Sequence, residues 1–113
     1  MNLAQVRRIA LALAGSTEEP HFDYASFRVG GKIFATAPPD GAHLHVFVDE
    51  EEREVALAVA PGCVEKLLWG GRVVGVRILL AEAERPLVER LLGQAWLRKS
   101  AKGGRKPART RRP

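Results

Sequence analysis

Apolar residues recur at two different periods along this chain, and the switches between them mark out its elements. Leu3, Val6, Ile9, Ala10 and Leu13 return at helical spacing behind Asn2, a good N-cap residue. This predicts an amphipathic helix over about 3–14, with Gly15 available as the left-handed residue at its end. Arg7 and Arg8 fall off that stripe. Residues 16–24 hold Pro20 and three acids and read as a loop. The period then changes to two. Two short runs rich in aromatic and β-branched residues, 26–29 and 32–36, flank Gly30-Gly31, a strong hairpin signal. With a two-residue loop, Val29 faces Lys32, Arg28 faces Ile33 and Phe27 faces Phe34. Phe27, Val29, Lys32 and Phe34 then share one face, while Arg28 and Ile33 point the other way.

Pro38-Pro39-Asp40-Gly41 is a turn, and a third strand over about 42–48 alternates Leu44, Val46 and Val48 against His43, His45 and Phe47. Together these predict a three-stranded antiparallel meander. Asp49-Glu50-Glu51-Glu52 opens a second helix: Asp49 can cap, Glu52 can complete a capping box, and the acids complement the helix N-terminus. That electrostatic role outweighs a metal or acid–base reading of the four acids. Pro61-Gly62 ends the helix. Residues 64–69, Gly70-Gly71 and 72–80 repeat strand, Gly-Gly, strand, although Glu65-Lys66-Leu67-Leu68 also fits a helix. Gly75 weakens the last strand or marks a bulge. Pro86 suits the first turn of a final helix over about 84–98, with Leu87, Val88, Leu91, Leu92, Ala95 and Trp96 as its stripe. The pattern α-β-β-β-α-β-β-α predicts a single α+β domain: an antiparallel sheet of about five strands with helices mainly on one face.

Composition changes this picture in one place. At 113 residues a single domain can bury roughly 60–65% of its unfolded surface without disulfides or a metal. Cys63 is alone and reads as a small buried hydrophobe, so no oxidising compartment is implied. No apolar run approaches the ~20 residues of a membrane span. Arg7 and Arg8 interrupt any signal-peptide core, and a soluble cytoplasmic protein is expected. The net charge of +5, however, divides unevenly. From Arg98 to Pro113 there are eight basic residues and no acid; taking these from the 18 in the chain leaves ten against all 13 acids. Up to residue 97 the chain is therefore mildly acidic; the folded domain is expected over 1–99, and 100–113 is expected to be a flexible basic tail.

Little in the body points to chemistry. His43 and His45, two apart on a strand, could chelate with Asp49 or His21, but no metal-ligand spacing such as HExxH or CxxC is present. They read as surface or partly buried histidines, and no metal or cofactor is expected. Gly30-Gly31-Lys32 lacks the GxxxxGK[ST] frame of a phosphate loop and reads as a hairpin turn. Ser16 and Ser26 have no nucleophile context, so no enzyme is read. Trp96 lies on an apolar stripe and belongs to the core, whereas Trp69 beside Gly-Gly is the candidate for stacking on a base. The tail is a polycation that binds nucleic acid by counterion release, or else a solubilising extension. It lacks the apolar anchors that membrane binding would favour.

The segment Phe27-Arg28-Val29-Gly30-Gly31-Lys32-Ile33-Phe34-Ala35 resembles the FRVxGKxFA stretch of the MmcQ/YjbR family of small bacterial proteins. The resemblance spans about 3–99. It includes the Glu18-Glu19-Pro20-His21-Phe22 stretch, Val48-Asp49-Glu50-Glu51, and a closing Leu91-Leu92-x-x-Ala95-Trp96. It implies a CyaY-like, secretion-chaperone-like α+β fold. It also implies a DNA-binding label attached to a "double wing" of two hairpins, which is a fold-level analogy. No catalytic residues come with it. This chain departs where many relatives carry Trp at the position of Gly75, and where they tend to have Lys against His45, Val46 and Phe47 here. The expectation is a non-enzymatic nucleic-acid-associated protein without sequence specificity. Arg28 and Lys32 would contribute from one hairpin and Arg72 and Arg77 from the other. Arg98, Lys99, Lys102, Arg105, Lys106, Arg109, Arg111 and Arg112 would supply the tail's charge, with Trp69 stacking. The other class is a protein-interaction or chaperone-like module, dimeric across the open sheet face, with no nucleic-acid role.

Overall fold

In the computed structural model, which describes residues 1–102, Asn2 caps the first helix as its position predicts. Its Oδ1 accepts from the Gln5 N–H at 2.9 Å, and the Gln5 side chain accepts from the Asn2 N–H at 2.9 Å. That reciprocal pair satisfies two orphan donors of the first turn. The helix α1 (Leu3–Ala12) buries Val6, Ile9 and Ala10. The chain continues through β1 (Ser16–His21), β2 (Tyr24–Val29), β3 (Lys32–Ala37), β4 (His43–Val46), α2 (Glu50–Val59), β5 (Val64–Trp69), β6 (Arg72–Leu79) and α3 (Arg85–Lys102). The strands form one antiparallel sheet in the order β1-β2-β3-β4-β6-β5.

Residues 16–21, expected to be loop, are a strand, and the sheet has six strands where about five were expected. Ser-Thr-Glu-Glu-Pro-His has almost no intrinsic strand signal. Its extended form comes from pairing along β2, from Ser16 opposite Val29 to His21 opposite Tyr24. Pro20 is tolerated because β1 is a sheet edge. The hairpin register is also corrected. Val29 faces Lys32 and Arg28 faces Ile33, but Phe27 lies opposite Ala35, not Phe34, because a bulge at Phe27/Arg28 makes Phe34 an extra residue on β3. Both phenylalanines remain fully buried.

Strand β4 is shorter than expected. After Val46 the Phe47 N–H bonds to Phe34 O at 3.1 Å, and the main chain passes tightly over β6. A Cβ at Gly75 would sit 2.1 Å from the Val46 carbonyl oxygen, so only glycine fits there. The position is buried. Residues 65–68 are strand, not helix.

Asp49 caps α2, its Oδ1 accepting from the Glu52 N–H at 3.0 Å. The capping box stays open, because the Glu52 carboxylate is taken by the Arg90 guanidinium of α3 at 2.9 and 3.1 Å. Helix α3 runs to Lys102, past the expected 98. Its Val88, Leu91, Leu92 and Ala95 meet Phe27, Phe34, Leu44, Val46 and Ile78 of the sheet and Val6 and Ile9 of α1 in one core. The opposite face of the sheet carries a polar row in register across all six strands: Glu19, Ser26, Thr36, His45, Arg77, Glu65.

Candidate functional site

The two Gly-Gly hairpins are built alike. Gly30 and Gly31 have φ of 59° and 79°, Gly70 and Gly71 have 58° and 79°, the paired left-handed conformation of a type I′ turn that glycine adopts without strain. Each turn sets its flanking residues side by side: Val29 with Lys32, and Trp69 with Arg72. Strands β3 and β6 both run antiparallel to β4, so the turns that precede them project from the same end of the sheet. Helix α3 finishes at that end too, where Arg98 Nη1 donates to Phe47 O at 3.0 Å, one residue past β4. The register of the sheet thus gathers residues from three distant parts of the chain.

Between them lies an open groove of about 580 Å³. Its apolar lining is Ile33, Phe47, Val48, Trp69, Val73 and Val74. Its charged lining is four cations, Arg53, Arg72, Arg98 and Lys99, against Asp49 and Glu50, with His21 completing the wall. Asp49 is committed to capping α2, and Arg53 Nε donates to Glu54 at 2.9 Å. Trp69 packs edge-on with Phe47, ring centroids 5.1 Å apart at 62°, yet remains 46% exposed while Phe47 is buried. Arg72 is exposed and makes no ion pair among the described residues.

Of the residues singled out in the sequence, Trp69, Arg72, Arg98 and Lys99 therefore converge, and Lys32 is exposed on the neighbouring turn beside Ile33. Arg28 and Arg77 do not join them. Arg28 Nε donates to Ser26 Oγ at 3.0 Å and lies 4.0 Å from Glu19; Arg77 lies 3.7 Å from Glu65 and 3.3 Å from His43. Arg77 belongs to the polar row in mid-sheet, and Arg28, opposite Ile33 near the turn, reaches back along the same strand to Ser26 of that row. Lys102 ends α3, while Arg105, Lys106, Arg109, Arg111 and Arg112 lie outside the described residues. Arg53 and Phe47, which the sequence did not single out, line the groove as well, as does His21, which it offered only as a metal ligand. Arg53 follows four acids that read only as a helix start, and nothing local announces that α2 begins beside a hairpin turn.

The histidines separate. His43 Nδ1 sits 2.8 Å from Asp40 Oδ2, whereas His45 is buried at 5% exposure and neither ring nitrogen has a hydrogen-bond partner among the described residues. Burial, with the charge of Arg77 beside it, pushes His45 down to about 4. Trp96 is half-buried and its indole N–H donates to Ala14 O at 2.9 Å. The Cys63 thiol is pushed up by burial and by Glu82 and Glu84, which works against a reactive thiolate.

A family model described as YjbR matches residues 11–98 of this chain. The crystal structure of the Deinococcus radiodurans protein DR2400, with a domain described as DUF419, is similar in fold. Its TM-score is 0.77 at 22% identity, over 93% of this chain and 83% of that one. No curated protein matches.

Proposed function

The chain belongs to the YjbR family, and we propose from its own surface that it is a non-enzymatic, nucleic-acid-associated protein that holds phosphates without reading base sequence. The single observation that carries this reading is the convergence of Arg72, Arg98 and Lys99 at the end of the sheet. There α3 delivers a C-terminal segment with five further cations and no acid beyond Lys102. The first 97 residues, acidic overall, would repel polyanions at long range, so attraction has to be local, and this end is where the local sign reverses. Arg28 is engaged by Ser26 and Glu19 and Arg77 sits beside Glu65, so these two face carboxylates on the sheet away from the cationic end and contribute little.

The test is the salt dependence of duplex and single-strand binding by the full chain. It is set against a full-length variant in which Arg105, Lys106, Arg109, Arg111 and Arg112 are replaced by Gln. If about six cations meet phosphates, log K for the native chain falls with log[salt] at a slope near −5 on duplex DNA. The neutralised variant shows a much shallower slope and weaker binding. Equal affinity and slope for the two chains, or no binding at low salt, overturns the reading.

A further inference from the structure

The groove at the end of the sheet has a composition that phosphate binding alone does not explain. A duplex backbone presents charges and sugars, and it gains little from a floor of Ile33, Phe47, Val73 and Val74 with an indole standing at its edge. Trp69 keeps 46% of its surface exposed next to Arg72, although a residue at that hairpin position could be any polar side chain. An occupant that fits must be planar and apolar on one side and anionic on the other. The chain's own basic C-terminal segment has the wrong sign for a rim of Arg72, Arg98 and Lys99. A base inside a duplex is stacked on both faces and offers no surface to an indole, while an unpaired base does.

We propose that this groove is a single-strand site: one unpaired base stacks on Trp69 while its flanking phosphates meet Arg72 and Arg98, so the protein prefers single-stranded over double-stranded nucleic acid. This deepens the phosphate-binding reading above and rests on it. Phe47 holds the indole in place from the buried side, and Asp49 and Glu50 bound the groove on the α2 side, directing the backbone toward the opposite, cationic rim.

The experiment titrates the full chain at low salt with a short oligothymidylate and with a duplex of the same length, following tryptophan emission and the anisotropy of labelled strands. Native protein is compared with Trp69→Leu and Trp69→Phe, both checked for folding by circular dichroism; Trp96 supplies the reference emission in each. The oligothymidylate quenches Trp69 emission and binds more tightly than the duplex. Trp69→Leu lowers single-strand affinity roughly 5- to 100-fold and leaves duplex affinity within about twofold, since backbone contacts carry that mode. Trp69→Phe, which keeps an aromatic face, recovers part of the loss. If both probes bind equally with unchanged emission, or if Trp69→Leu weakens both alike, the single-strand site is overturned while phosphate binding stands. If neither probe binds, phosphate binding itself has failed.

Discussion

Replacing His45 by Leu should make this protein more stable, and increasingly so as the pH falls. The imidazole is 5% exposed on the polar row of the sheet, between Thr36 and Arg77, and neither of its nitrogens has a hydrogen-bond partner among the described residues. An unsatisfied buried polar group costs about 1–3 kcal/mol, so a leucine of similar volume should gain roughly 1–2 kcal/mol at pH 7.5. The proton adds a second effect. The folded-state value is about 4, against 6.5 for an ordinary histidine. Between those values the unfolded chain holds the proton and the folded chain does not. Stability therefore rises with pH in that window and is lost on acidification from 6.5 down to about 4. From these two values the loss is on the order of 1 kcal/mol at pH 5.5 and roughly 2–3 kcal/mol at pH 4.5. Urea denaturation of native protein and His45→Leu at pH 7.5, 5.5 and 4.5 reads the difference directly, with carboxylate effects common to both chains cancelling. A gap that widens by about 2–3 kcal/mol toward pH 4.5 is expected. Parallel pH profiles for the two proteins would refute the reasoning, since they would mean that His45 titrates alike in both states.

Other substitutions follow from the same geometry. Gly75→Ala drives a methyl group into the Val46 carbonyl and should cost about 2–3 kcal/mol in a thermal or urea melt, whereas unchanged stability would show that β4 has room to move. Asp49→Asn keeps a competent N-cap while removing one of two carboxylates from the groove. It should raise nucleic-acid affinity at constant melting temperature, and Asp49→Ala should raise affinity while losing about 1 kcal/mol of stability. Equal affinities for native, Asn and Ala proteins would remove the groove from the binding surface.

The Gly-Gly pairs made both hairpins legible, because a two-residue loop needing left-handed φ at both positions leaves glycine few competitors. The helices were equally readable from Asn2, Asp49 and Pro86 and from the stripes behind them. Strand β1 was not, since Glu18-Glu19-Pro20 is extended only by its pairing with β2. The bulge at Phe27/Arg28 was invisible for a related reason: either phenylalanine of β2 and β3 satisfies the core in either register, and packing decides. Trp69 and Arg72 could be picked out singly from the turn between them. Their meeting with Arg98, Lys99 and Arg53 could not, because it depends on β6 lying between β4 and β5.

The division between the cations at the sheet's end and those on its face is tested most directly by the salt slope of nucleic-acid binding in two single variants of the full chain. Arg72→Gln should make the slope of log K against log[salt] shallower by about 0.7–0.9, and Arg28→Gln should leave slope and affinity at the native values. Equal effects from the two changes, or a slope that moves only with Arg28, would contradict the account.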